Sequence, residues 1–361
     1  MEATAAIQRA LGGRPCPSAD DLDATVIDGT ARVVTESYPA SRPADDAANS
    51  ARFSAAAPRA RTRSEPGRFI TGTYSNHAGT LEYKTYLPTR YEGQALALVV
   101  MLHGCKQDPD DFAAGTRMNE LAEEHGFVVV YPKQASKSNV SHCWNWFQTK
   151  NQQRDHGEPS LIAGLTRKVV DEYRLDARRV YVAGLSAGGA MAAIMGTTYP
   201  DVYSAVGIHS GLAYAAARDV PSAFAAMRGP GAKRSRRKHG RVSSARVIPT
   251  IVFHGDRDTT VHPSNGEHVI AQASPQSSEH KVNARQDAPS EGSVENGETS
   301  GRAYTRTIYR DAAGKPVTEH WLVHGAGHAW SGGSANGSYS DPNGPDASRE
   351  MLRFFLQHGN N

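Results

Sequence analysis

Long apolar runs are missing from this sequence. The longest unbroken one, residues 95–102, is eight residues. A membrane-spanning helix needs about 20, so the run reads as a buried strand and no membrane span is expected. Charge of one sign is also scarce. With 40 Lys and Arg against 37 Asp and Glu, the formal net charge is +3. That balance is too mild for nucleic acid as a main partner, and none is expected. Cysteine is rare, with Cys16, Cys105 and Cys143 alone and no paired zinc-site spacing. They read either as three free thiols or as a Cys105–Cys143 disulfide with Cys16 left over. The bond would imply an oxidising compartment. The N-terminus lacks the basic and apolar regions of a signal peptide, so a cytoplasmic protein, a mature form or a shortened chain is expected. There is no internal repeat.

What remains is a globular composition, 39% hydrophobic and 21% charged, which permits a sizeable core. Residues 1–66 read as a partly irregular N-terminal extension, with Pro15, Pro17, Pro39, Pro43 and Pro58 among Ala, Ser, Arg and Asp. One catalytic domain is expected over 67–361. Strands are predicted at 69–74, 81–87, 96–102, 127–131, 179–183, 204–209, 247–253, 302–310 and 320–323. Helices are predicted at 110–125, 159–173, 187–198, from about 263, and at 346–357. Apolar strands alternating with helices imply an α/β fold, a mostly parallel central sheet with helices on both faces. Sites in such sheets lie at the carboxyl ends of the strands. Two polar insertions, near 229–246 and 272–301, interrupt the rhythm. The first contains KRSRRKHGR at 233–241, read as a solvated loop.

Gly184-Leu185-Ser186-Ala187-Gly188 matches the G-x-S-x-G elbow between a predicted strand and a helix. The flanking glycines leave room for a strained turn, and Ser186 is the candidate nucleophile. A serine hydroxyl needs a base, and the base an orienting acid. In α/β-hydrolases the chain order is Ser, acid, His. Asp258, in the loop after strand 247–253, is the expected acid, with Asp256 as its rival. His328, in the loop after the last strand, is the expected base, with His324 as its rival. The intervals of 72 and 70 residues leave room for the intervening elements. The backbone N–H groups of Ala187 and Cys105 are the candidate oxyanion donors. Trp144, Trp146 and Trp330 read either as core or as walls for an acyl chain. Neither a metal nor a cofactor is expected.

Taken together, Leu102-His103-Gly104-Cys105-Lys106-Gln107, Val129-Val130-Tyr131-Pro132, Cys143-Trp144-Asn145-Trp146, Gly184-Leu185-Ser186-Ala187-Gly188-Gly189-Ala190-Met191, Phe253-His254-Gly255-Asp256 and Gly327-His328-Ala329-Trp330-Ser331-Gly332-Gly333 resemble the polyhydroxybutyrate-depolymerase family of esterases. The resemblance covers roughly residues 68–357. It implies an α/β-hydrolase fold, a Ser186–Asp258–His328 triad, Cys105 and Ala187 at the oxyanion hole, a Cys105–Cys143 disulfide and, in many members, export. Secreted or periplasmic placement is thereby favoured over cytoplasmic. The implied substrates are poly- or oligo-3-hydroxybutyrate and related short acyl or aryl esters. The alternatives are a feruloyl-type esterase, or a peptidase or acyltransferase on the same fold. Polymer-eroding members carry a further substrate-binding domain. The sequence ends just after its predicted closing helix, so soluble oligomers and small esters are expected here.

Overall fold

A computed structural model describes residues 67–229, 248–273 and 292–359. The extension 1–66, Cys16 and the basic run 233–241 lie outside the described residues. Among the described residues the main sheet has ten strands: β1 (Arg68–Asn76), β2 (Gly79–Leu87), β3 (Ala97–Leu102), β4 (Phe127–Lys133), β5 (Val180–Leu185), β6 (Ala205–His209), β7 (Thr250–Gly255), β8 (Ser293–Thr299), β9 (Arg302–Arg310) and β10 (Pro316–Val323). Their spatial order is β1-β2-β4-β3-β5-β6-β7-β10-β9-β8. The pairs from β4 through β3, β5, β6 and β7 to β10 are all parallel. Antiparallel strands close both edges.

The period of two along a strand divides the core in two. Leu98, Val100 and Leu102 point to one face, and Ala97, Val99 and Met101 to the other. Three helices cover the second face: α1 (Pro109–Thr116), α2 (Met118–His125) and the closing α7 (Ala347–Leu356). On the first face lie α3 (Gly157–Glu172), α4 (Ala187–Thr198), α5 (Val220–Met227) and α6 (Ser264–Ala273). This is the mostly parallel, doubly covered sheet that the alternating pattern implies.

Two of the elements that depart from expectation show why. The predicted helix 110–125 is two helices, broken at Arg117, whose φ is 56°. In a continuous helix the carbonyls of Gly115 and Thr116 would accept from residues 119 and 120. Ser334 N–H and the Ser348 hydroxyl take them instead, at 2.8 and 2.6 Å. The second departure is β8, an edge strand inside the segment read as a polar insertion. Its side chains are almost all exposed, so no apolar alternation marks it.

Cys105 and Cys143 form a disulfide across 38 residues. Chain entropy gives a loop of that size roughly 4 kcal/mol of stabilisation. Reduction with dithiothreitol is therefore expected to lower the urea midpoint clearly, and an unchanged midpoint would contradict this.

Candidate active site

The sharp turn after β5 needs two glycines. A Cβ on Gly184 or Gly188 would strike the Leu102 carbonyl, and one on Gly184 would also strike the backbone of Gly188. The serine between them has φ 56° and ψ −118°, a conformation that costs about 1–3 kcal/mol. The turn is braced by Ser186 N–H donating to His209 O at 2.9 Å. Ser186 stands directly before α4, so Ala187 N–H belongs to the first turn, where helical partners are absent. Cys105, in the turn after β3, also has a backbone N–H without a hydrogen-bond acceptor among the described residues. Gly104 N–H donates to Gln107 Oε1 at 2.9 Å, which holds that turn.

Two His–Asp pairs lie past β7 and β10. His328 Nδ1 is 2.7 Å from Asp258 Oδ2. Asp258 is buried, and its Oδ1 accepts the N–H groups of Thr260 and Val261 at 2.9 and 2.8 Å. Behind it, His254 Nε2 lies 3.4 Å from Oδ2. Burial raises the carboxyl pKa, but the hydrogen bonds from His254 and His328 outweigh it and hold Asp258 well below the usual carboxylate range. The rival residues pair with each other. His324 Nδ1 is 3.0 Å from Asp256 Oδ2, Gly325 N–H donates to Asp256 Oδ1 at 2.7 Å, and Thr305 meets the other imidazole nitrogen at 3.0 Å. That pair is solvent-accessible and braces the loop after β10.

Ser186 and Ala187 open into a cleft whose empty space, part of it open to solvent, is ≈530 Å³. Its other walls are the Cys105–Cys143 bond, Trp146, Phe147, Leu212, Val261, and Val220, Ala223, Phe224 and Met227 of α5. None of these side chains is charged. The wall at 143–147 is held from beneath by buried Glu158, which accepts from Asn145 N and Nδ2 at 2.8 and 2.7 Å and from Gln134 Nε2 at 2.7 Å. Burial raises the Glu158 pKa against these bonds.

Of the three tryptophans, Trp146 alone lines the cleft. Trp144 is 0% exposed and donates Nε1–H to His103 O at 3.1 Å. Trp330 is 1% exposed, donates to Ser348 Oγ at 3.0 Å and stacks on His209. Both are core residues, their indole N–H groups spent inside, which corrects their reading as substrate walls.

Sequence reasoning missed α5 and the buried histidines. The signal for α5 was Asp219-Val220-Pro221-Ser222, a capping box with proline in the first turn. The histidines had a positional signal. His103, His209 and His254 each stand at or beside the carboxyl end of a parallel strand, where sites of such sheets form.

Burial holds His103, His320 and His358 neutral, their pKa pushed down to about 4, and His209 to about 3. In the unfolded chain these groups titrate near 6.5. Below pH 6.5 the unfolded state binds protons first, so the stability these groups contribute above 6.5 is lost as pH falls towards 4 and 3. The slope is roughly 1.4 kcal/mol per pH unit for each fully shifted histidine. The urea midpoint is therefore expected to fall steadily from pH 7 to pH 5, and a flat profile would contradict this.

A family model described as esterase PHB depolymerase matches residues 81–292. Poly(3-hydroxyalkanoate) depolymerase C of Paucimonas lemoignei is 30% identical over 71% of this chain and 60% of that protein. Feruloyl esterase B of Neurospora crassa is 35% identical over 40% of this chain and 49% of that protein. The chain thus spans between about half and two thirds of the length of these two relatives. Among solved structures, an acetyl xylan esterase from Aspergillus awamori aligns with a TM-score of 0.58 at 18% identity, over 81% of this chain and 100% of that one. The fold is an α/β-hydrolase.

Proposed function

The chain belongs to the esterase PHB depolymerase family, and on that premise we propose that it is a serine esterase with Ser186 as nucleophile, His328 as base and Asp258 as orienting acid. His328 takes the Ser186 proton as Oγ attacks the ester carbonyl. The Ala187 and Cys105 N–H groups receive the developing oxyanion. His328 then protonates the leaving alcohol. Water, deprotonated by the same imidazole, releases the acid. Asp258 holds the Nδ1–H tautomer, which leaves Nε2 free to accept a proton.

The observation that carries this reading is Ser186 in an elbow that opens into an uncharged cleft. Such a cleft favours a neutral acyl group. Short 3-hydroxybutyrate oligomers and small acyl esters are the proposed substrates. The aromatic walls Trp146, Phe147 and Phe224 favour aryl esters of the feruloyl kind as a second reading. The Cys105–Cys143 bond supports an oxidising compartment as the place of action.

A substrate panel tests this. p-Nitrophenyl butyrate and soluble 3-hydroxybutyrate oligomers are expected to turn over, and peptide anilides are not. Faster cleavage of anilides than of esters would overturn the esterase reading in favour of a peptidase.

A further inference from the structure

We propose that His209 is a positioning residue that ties the nucleophile elbow to the loop carrying the catalytic base, an inference that rests on the Ser186–His328 reading. His209 ends β6, between the strands that carry Ser186 and Asp258. Its main chain serves the elbow, because its carbonyl accepts Ser186 N–H at 2.9 Å. Its side chain serves the other partner, because Nε2 lies 3.0 Å from Ser331 N, three residues past His328.

A backbone amide only donates, so Nε2 must be the bare nitrogen. The proton then sits on Nδ1, which faces Ser210 Oγ at 3.2 Å. The ring stacks against Phe253 and Trp330, with centroids 5.8 and 5.1 Å away. Burial, followed by the nearby His254 and His328, holds its pKa down to about 3, so the acceptor persists at any pH where the protein would work. One buried residue thus sets the distance between two parts that reach the site from strands far apart in sequence. Displacing a reacting group by about 1 Å can cost about 10²-fold.

The test compares three variants by steady-state kinetics on p-nitrophenyl butyrate, with circular dichroism and thermal melting alongside. His209→Phe keeps the stacking and removes the acceptor. His209→Gln offers an oxygen where Nε2 was, and His209→Asn offers one only near Nδ1. The Phe variant is expected to lose about 10- to 100-fold in kcat, with KM within about twofold. Gln is expected to recover about tenfold over Phe, and Asn is not. Should Phe fail to fold, the Gln-to-Asn ratio decides. A Phe variant with wild-type kcat, a KM that rises as far as kcat falls, or equal kcat in folded Gln and Asn variants would overturn the proposal. Absence of turnover in the wild type, or full turnover in Ser186→Ala, would instead overturn the underlying nucleophile reading.

Discussion

Ser186→Ala is expected to lower kcat for p-nitrophenyl butyrate by about 10⁶-fold, the size of loss found when a triad nucleophile is removed. The elbow should survive the change. Its geometry depends on the absence of a Cβ at Gly184 and Gly188 and on the Ser186 N–H bond to His209, and alanine keeps that N–H. Alanine also has the same Cβ in the same φ 56° backbone, so strain is unchanged. Stability should stay within about 1 kcal/mol of the parent, as for changes that leave packing and buried hydrogen bonds in place. A folded variant that keeps more than a hundredth of the parent rate would point to another nucleophile.

Asp258→Asn is expected to cost about 10⁴-fold in kcat. The carboxylate accepts from His328, Thr260 and Val261, and His254, whose Nε2 meets Val261 O at 2.8 Å, flanks it at 3.4 Å. An amide nitrogen placed against His328 Nδ1 would donate, which forces the proton to Nε2 and removes the base. The variant should also be less stable, because a buried amide cannot satisfy all of those donors. Asp256→Asn is the matched control. Its partners are His324 and Gly325 at the surface, and kcat should stay within about threefold. Equal losses in both variants, measured at saturating ester, would contradict the assignment of Asp258.

Legibility followed the range of the interactions involved. The elbow could be read because its requirement is local: two glycines, a serine, a β strand before and a helix after. The sheet could be read because strands buried on both faces are near-continuous apolar runs, such as residues 97–102. The choice between Asp256 and Asp258, or between His324 and His328, could not be settled, since both acids share one loop and both histidines another. Only the spatial pairing separates them, Asp256 with His324 at the surface and Asp258 with His328 inside. Trp144 and Trp330 failed as substrate walls for the same reason: a tryptophan's burial depends on what the fold brings to it. The break at Arg117 was hidden because the groups that cause it, Ser334 and Ser348, lie more than 200 residues away. The polar strand β8 carried no pattern to read, because it pairs through its backbone and buries almost nothing.

The central claim is that Ser186 is the residue that becomes acylated. Incubation with a fluorophosphonate probe, followed by peptide mass spectrometry, tests it directly. A single stoichiometric adduct is predicted on Ser186, lost in Ser186→Ala and slowed strongly in Asp258→Asn. No adduct, or an adduct on another residue of the folded protein, would contradict the account.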